Sequence, residues 1–318
     1  MVLLTTFLTG CMKSLSSSHI TGPKTYKQKM DMRYNLLRRT YHLHVPPGYD
    51  GKEPLPLVVV IHGAFDTAKG MEKVTGFSEL ADRENFFVLY PNGISLFGFL
   101  QHWNAGHCCG KAVDDDVDDV GFIAATIDDA CSRLNVDRTR IYMVGFSNGG
   151  MMAYRFAAER SNILAAVAPL AASIGGSAAP GVAEWHIPVP KNPVPLLTMH
   201  GREDGDIPFN GGASPRRSGN RTYWSVPDSV GFWVRYNRCK EAPLRIKSHN
   251  GQVQITSWKG CSSDAEVILY EIINWGHVWP GKYFIKEMGP DHPLKNFDAK
   301  EIIWKFFKKH TRVFDATK

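Results

Sequence analysis

The chain has 318 residues, 43% of them hydrophobic and 21% charged, and a formal net charge of +6. That is enough apolar content to bury one large core, and it excludes intrinsic disorder away from the ends. No apolar run is long enough to span a bilayer as a helix, and the scattered Lys and Arg come without a nucleic-acid-binding motif, so nucleic acid is not expected as a partner.

At the N-terminus a short apolar run, residues 2–8, leads into Leu8-Thr9-Gly10-Cys11 and then a polar, Ser-rich stretch. This resembles the end of a bacterial lipoprotein signal peptide, in which the Cys is lipidated and becomes the first mature residue. Residues 1–11 are therefore expected to be signal-like, with Cys11 as the lipidation site, and 12–30 to form a polar tether. The expected location is secreted or periplasmic. Any membrane contact would come through a lipid anchor at the cell surface.

From residue 31 the pattern is regular. Residues 40–45 alternate and read as a strand stopped by Pro46-Pro47-Gly48. Residues 57–61 are a continuous Leu-Val-Val-Val-Ile run of the kind buried on both faces of a parallel sheet. Residues 71–83 read as a helix and 86–90 as a strand. A long loop over 91–117 follows, and loops of that length in a compact domain are usually functional. Asp118 or Asp119 can cap a helix running to about 134. Residues 141–144 form a strand, 151–159 a helix, 164–169 and 196–199 further strands, and 173–193 an irregular segment. Ser225-Val226-Pro227-Asp228 resembles a capping box opening a helix to about 238. Asn250-Gly251 between two alternating runs signals a hairpin. Residues 267–273 are a last core strand and 298–309 a final amphipathic helix. Strands alternating with helices imply a mostly parallel sheet covered on both faces, in one domain over 31–313.

Six Cys are present. Setting Cys11 aside leaves Cys108, Cys109, Cys131, Cys239 and Cys261. Cys239 and Cys261 flank the hairpin and could meet. Adjacent Cys108 and Cys109 cannot easily bond each other without a strained peptide, and a bond from either to Cys131 leaves the other free, so the pairing of these three stays open.

Gly145-Phe146-Ser147-Asn148-Gly149 fits G-x-S-x-G, following a buried strand and opening a helix. A Ser on so sharp a turn needs small neighbours, which Gly145 and Gly149 supply, and its hydroxyl then projects above the sheet. That hydroxyl needs a base, and the base an orienting acid. His277 follows the last core strand in a loop stiffened by Trp275, Gly276, Trp279 and Pro280, which suits it to be the base. The acid belongs after the preceding strand, where Glu203, Asp204 and Asp206 all stand. The oxyanion needs two backbone N–H donors: Asn148, directly after the nucleophile, and Ala64 or Phe65 after Ile61, with Ala64 preferred. Trp103 and Trp279 are candidates for the substrate pocket. The spacing of His102, His107, Cys108 and Cys109 fits no zinc pattern, and the acidic run 114–119 lacks the Gly and distal Glu of a calcium loop, so no metal is expected.

Together these stretches resemble the extracellular polyhydroxybutyrate depolymerase and feruloyl esterase group of α/β-hydrolases. The resemblance is carried by His62-Gly63, Trp103-Asn104-Ala105-Gly106 with Cys108-Cys109-Gly110, Asp118 to Phe122, Gly145 to Met151, His200-Gly201 to Pro208, and Gly276 to Gly281. It implies the α/β-hydrolase fold and hydrolysis of carboxylic esters, a polymeric ester among them, without a cofactor. It also implies Asp204 as the acid of a Ser147-Asp204-His277 triad and a disulfide between Cys239 and Cys261. Two other outcomes are a serine peptidase on the same fold and a surface binding protein that has lost the chemistry.

Overall fold

The uninterrupted β-branched run of residues 57–61 is explained by where it lies: second from one end of the parallel core of a ten-stranded sheet, with every residue of its strand buried. The computed structural model describes residues 28–313 except 36, 96–99, 217–219, 286–288 and 290. The signal-like segment, Cys11 and the tether up to residue 27 lie outside the described residues. The first strand already begins at Gln28, inside the span read as tether.

The strands of the main sheet, in chain order, are β1 (Gln28–Tyr34), β2 (Leu37–His44), β3 (Leu55–Ile61), β4 (Phe87–Pro91), β5 (Val136–Phe146), β6 (Ala166–Leu170), β7 (Leu196–Gly201), β8 (Leu244–Ser248), β9 (Val253–Trp258) and β10 (Val267–Ile272). Their spatial order is β1-β2-β4-β3-β5-β6-β7-β10-β9-β8. The six from β4 to β10 run parallel, and an antiparallel pair closes each end. Successive side chains of β3 serve two cores: Leu57, Val59 and Ile61 face one, Val58 and Val60 the other. Such two-sided burial is what a parallel sheet with helices on both faces demands.

The helices are α1 (Ala68–Thr75), α2 (Phe77–Glu84), α3 (Gly110–Asp114), α4 (Asp119–Arg133), α5 (Asn148–Glu159), α6 (Val226–Tyr236), α7 (Lys282–Ile285) and α8 (Ala299–Phe307). The single helix expected over 71–83 is two. Gly76 adopts φ 65°, ends α1 by donating its N–H to the Glu72 carbonyl, and starts α2. Without a Cβ, that left-handed turn carries little cost. The expected 91–117 loop holds a small hairpin, Ile94–Ser95 with Gln101–His102, and then α3. Asp118, not Asp119, caps α4, its side chain accepting from the Gly121 N–H. Ser225 caps α6 by accepting from the Asp228 N–H.

Cys239 and Cys261 are joined, 22 residues apart. The bond ties the end of α6 to the turn that follows β9. By loop entropy it stabilises the chain by about 3 kcal/mol. Urea unfolding of the Cys239→Ala/Cys261→Ala protein should show a loss of that size, and an unchanged midpoint would rule out a stabilising cross-link. Of the three cysteines left open, Cys108 and Cys109 are joined to each other and Cys131 is free. The peptide between the pair is cis.

Candidate active site

β5 delivers Phe146 to the carboxyl edge of the sheet, and α5 starts at Asn148. Ser147, between them, is held at φ 58° and ψ −125°. A non-glycine residue occupies that region only when its surroundings enforce it. Here they do. A Cβ on Gly145 would collide with the Gly149 carbonyl, and one on Gly149 with the carbonyls of Ile61 and His62. The tight packing of three backbone segments thus dictates both glycines and thrusts the Ser side chain upward.

Two further loops meet it there. After β10, the Trp275 Nε1–H donates to the Val278 carbonyl at 2.8 Å and closes a small loop around His277. After β7, Glu203 donates its N–H to the Trp275 carbonyl at 3.0 Å, stitching the acidic loop to the histidine loop. The result is a hydrogen-bonded chain: Ser147 Oγ to His277 Nε2 at 2.8 Å, and His277 Nδ1 to Asp204 Oδ2 at 2.7 Å. Of the three carboxylates in the loop, Asp204 is the one turned inward and buried. Its Oδ1 accepts the N–H groups of Asp206 and Ile207 at 2.9 and 2.8 Å. Burial opposes the charged form of Asp204, yet the His200 and His277 contacts hold its carboxyl well below the usual range.

His200 is a contact the sequence reading missed. Its Nε2 lies 2.8 Å from the Ile207 carbonyl, an acceptor, so Nε2 carries the proton; it is also 3.3 Å from Asp204 Oδ2. Asp204, Asp206 and His277 cluster closely enough to suggest a metal site. Both ring nitrogens of His277 are engaged, however, so this donor set does not fit an ion.

Among the described residues, the N–H groups that flank Ser147 differ in whether they have a backbone acceptor. Phe65 donates to the Gln101 carbonyl and Asp66 to the Gly63 carbonyl, while Ala64 and Asn148 have no such acceptor. The Asn148 side chain is committed elsewhere: its Oδ1 accepts the Trp103 N–H at 2.8 Å and its Nδ2 donates to the Trp103 carbonyl at 3.1 Å. The two tryptophans are not pocket walls. Trp103 is 0% and Trp279 1% exposed. Trp103 instead donates Nε1–H to the His62 carbonyl at 2.9 Å and so braces the loop bearing Ala64. The exposed aromatic at the rim is Phe65, 53% exposed. A cavity of about 820 Å³ beside α6, lined by Glu184, Trp224 and Asp228, is not touched by Ser147, Asp204 or His277 and is separate from this cleft.

A buried ion pair supports the whole loop. Arg39 Nη2 donates to Asp119 Oδ1 at 2.6 Å, and Asp119 Oδ2 accepts the Asn104 N–H at 2.7 Å. The two charged side chains are 2% and 0% exposed, and the guanidinium lies 3.8 Å over the Phe122 ring. Arg39→Met strands a buried carboxylate and should cost about 3–5 kcal/mol. Adding Asp119→Leu should return much of it, because the pair is then replaced by apolar packing. Urea unfolding of both variants measures this, and equal losses in single and double variants would contradict it.

The chain is similar to known esterases. Residues 39–187 match the family model described as Esterase PHB depolymerase. The chain is 30% identical over 261 residues to a putative esterase, NocK, of Nocardia uniformis subsp. tsuyamanensis, covering 77% of this chain and 72% of that one. It is 24% identical over 312 residues to a probable feruloyl esterase C of Aspergillus terreus, covering 96% and 97% of the two chains. An acetyl xylan esterase from Aspergillus awamori shares the fold with a TM-score of 0.54 at 17% identity, over 83% of this chain and 97% of that one.

Proposed function

This chain belongs to the esterase family of polyhydroxybutyrate-depolymerase type and is a carboxylic ester hydrolase of the α/β-hydrolase fold; from that premise we propose that it transfers an acyl group to water through Ser147, His277 and Asp204. The observation that carries this is the Ser147–His277–Asp204 hydrogen-bonded chain. His277 Nε2 takes the Ser147 proton as Oγ attacks the ester carbonyl. The tetrahedral oxyanion is met by the N–H groups of Ala64 and Asn148. His277 returns the proton to the departing alcohol, and water repeats the sequence to release the acid. Asp204 fixes the Nδ1–H tautomer and stabilises the imidazolium.

The substrates proposed are those in the names of its relatives: feruloyl or acetyl-xylan esters, and hydroxybutyrate esters, polymeric ones included. Secretion is also proposed, supported by the Cys239–Cys261 disulfide, since such bonds persist in oxidising compartments. No helix among the described residues is long and apolar enough to cross a membrane. A panel of feruloyl, acetyl-xylan, short-chain aryl and oligo-hydroxybutyrate esters tests the reading. Turnover of at least one class, abolished by a serine-directed phosphonate, is expected; no turnover across the panel would refute it.

A further inference from the structure

The cavity of about 820 Å³ beside α6 is formed by none of the triad residues, and its volume lies in the ~300–1,000 Å³ range of small-molecule sites. Trp224 lines it, half-buried, with its indole N–H donated to the exposed Glu184 carboxylate. The backbone of Trp224 is fixed on both sides. Its N–H donates to the Gly175 carbonyl at 2.9 Å, and its carbonyl accepts the Ser173 hydroxyl at 3.1 Å. Asn210, Asp228, Arg235 and Arg238 also line the cavity, and all four are exposed. The Ser225 hydroxyl donates to Asp228 Oδ2 at 2.5 Å. Among the described residues, no hydrogen bond or ion pair engages the side chains of Asn210 and Arg238.

The lining selects a kind of ligand. Its two carboxylates, Glu184 and Asp228, cancel its two guanidiniums, Arg235 and Arg238. An ionic ligand would meet like charge as well as opposite charge. A purely apolar ligand would strip water from these groups and give nothing back. A neutral molecule edged with hydroxyls can donate to the carboxylates and accept from the guanidiniums and the Asn210 amide. If one of its faces is C–H, that face can lie on the negative π face of an indole. A pyranose ring has both properties. Gly231 is an independent sign. It lies inside α6, where glycine is less stable than alanine, yet a Cβ there would meet nothing within 4 Å. Packing does not call for this glycine; its missing side chain keeps the cavity open.

We propose that this cavity is a carbohydrate subsite, separate from the triad, that holds the neutral sugar backbone of a polysaccharide ester. The inference goes beyond the esterase reading, and its test needs no ester. One loop serves both places: after β7 the chain carries Asp204 to the triad and then Asn210, Gly211 and Gly212 to the cavity wall. A sugar chain gripped here is therefore anchored beside the loop of the catalytic acid.

Titration calorimetry of the wild-type protein with xylohexaose and with cellohexaose, which carry no ester, tests this. At least one should bind with a Kd of about 1 mM or tighter. Trp224→Ala should weaken that binding about tenfold or more, as loss of a buried aromatic anchor does. Gly231→Leu should weaken it as much by filling the cavity, and because leucine favours the helix, the loss is not one of folding. With a neutral ligand, the wild-type Kd should change less than about twofold between ~10 mM and ~1 M salt. In both variants kcat/KM for 4-nitrophenyl acetate should stay at the wild-type value, since neither residue touches the triad. Three outcomes overturn the inference and leave the esterase reading standing: binding of neither hexasaccharide, a Kd that Gly231→Leu leaves intact, or tighter, salt-sensitive binding of an anionic oligogalacturonate. A fall in kcat/KM in step with the loss of sugar binding also overturns it, by merging the cavity with the catalytic cleft. Failure of the wild-type protein to cleave 4-nitrophenyl acetate or any ester of the panel counts against the esterase reading alone.

Discussion

Replacing Ser147 with Ala is expected to lower kcat for ester hydrolysis by roughly 10⁴-fold or more while leaving the protein folded. The reason lies in what the residue does and does not hold up. Its Oγ touches His277 Nε2, whereas the strained turn around it is fixed by backbone packing at Gly145, Gly149 and the end of β3. Removing one oxygen therefore removes the nucleophile and leaves the turn in place. The residual rate should still exceed that in water, because the Ala64 and Asn148 N–H groups remain to bind the oxyanion. Turnover and circular dichroism on the purified variant check both halves, and near-normal turnover would remove Ser147 from the mechanism.

Asp204→Asn should be nearly as damaging, costing about 10⁴-fold in kcat. The carboxylate both accepts the His277 Nδ1–H and faces the Nε2–H of His200. An amide in its place offers one acceptor oxygen and can present N–H to the imidazole, favouring the wrong tautomer. Asp206→Asn should cost no more than about tenfold. Its link to the acid is its backbone N–H, which donates to Asp204 Oδ1 and survives the change. The two variants are to be compared at saturating substrate after matching their unfolding midpoints. A larger loss at Asp206 would reverse the assignment.

What the sequence shows well is what local periodicity and chain order control. The β3 run, the glycine-flanked Ser147, the Asn250-Gly251 hairpin and the Ser225 cap each depend on a few neighbouring residues, and each is found at its expected place. Asp204 among three carboxylates was reached only through the family pattern, since spacing alone left Glu203 and Asp206 equally open. The features missed depend on distant partners. Arg39 and Asp119 are 80 residues apart, and nothing local marks either as half of a buried pair. Trp103 and Trp279 read as pocket walls because large aromatics suit that role equally well; only the packing of two cores decides that they are interior. The break at Gly76 is the opposite case, a local signal passed over because the apolar pattern runs through it.

The spread of the triad along the chain sets a schedule. Ser147 and His277 are 130 residues apart, and the strand that carries the histidine loop, β10, pairs between β7 and β9. During synthesis the N-terminal part of the chain emerges first. The nucleophile's turn, which is held by β3, β5, β6 and α5, can therefore be made while the base is still inside the ribosome. Such a nascent chain presents a serine without a partner and cannot cleave esters in the compartment where it is made. By the proposed mechanism, hydrolytic competence arrives only once β10 has been inserted into the sheet, so the topology acts as a timer that withholds the activity until the chain has been made through His277.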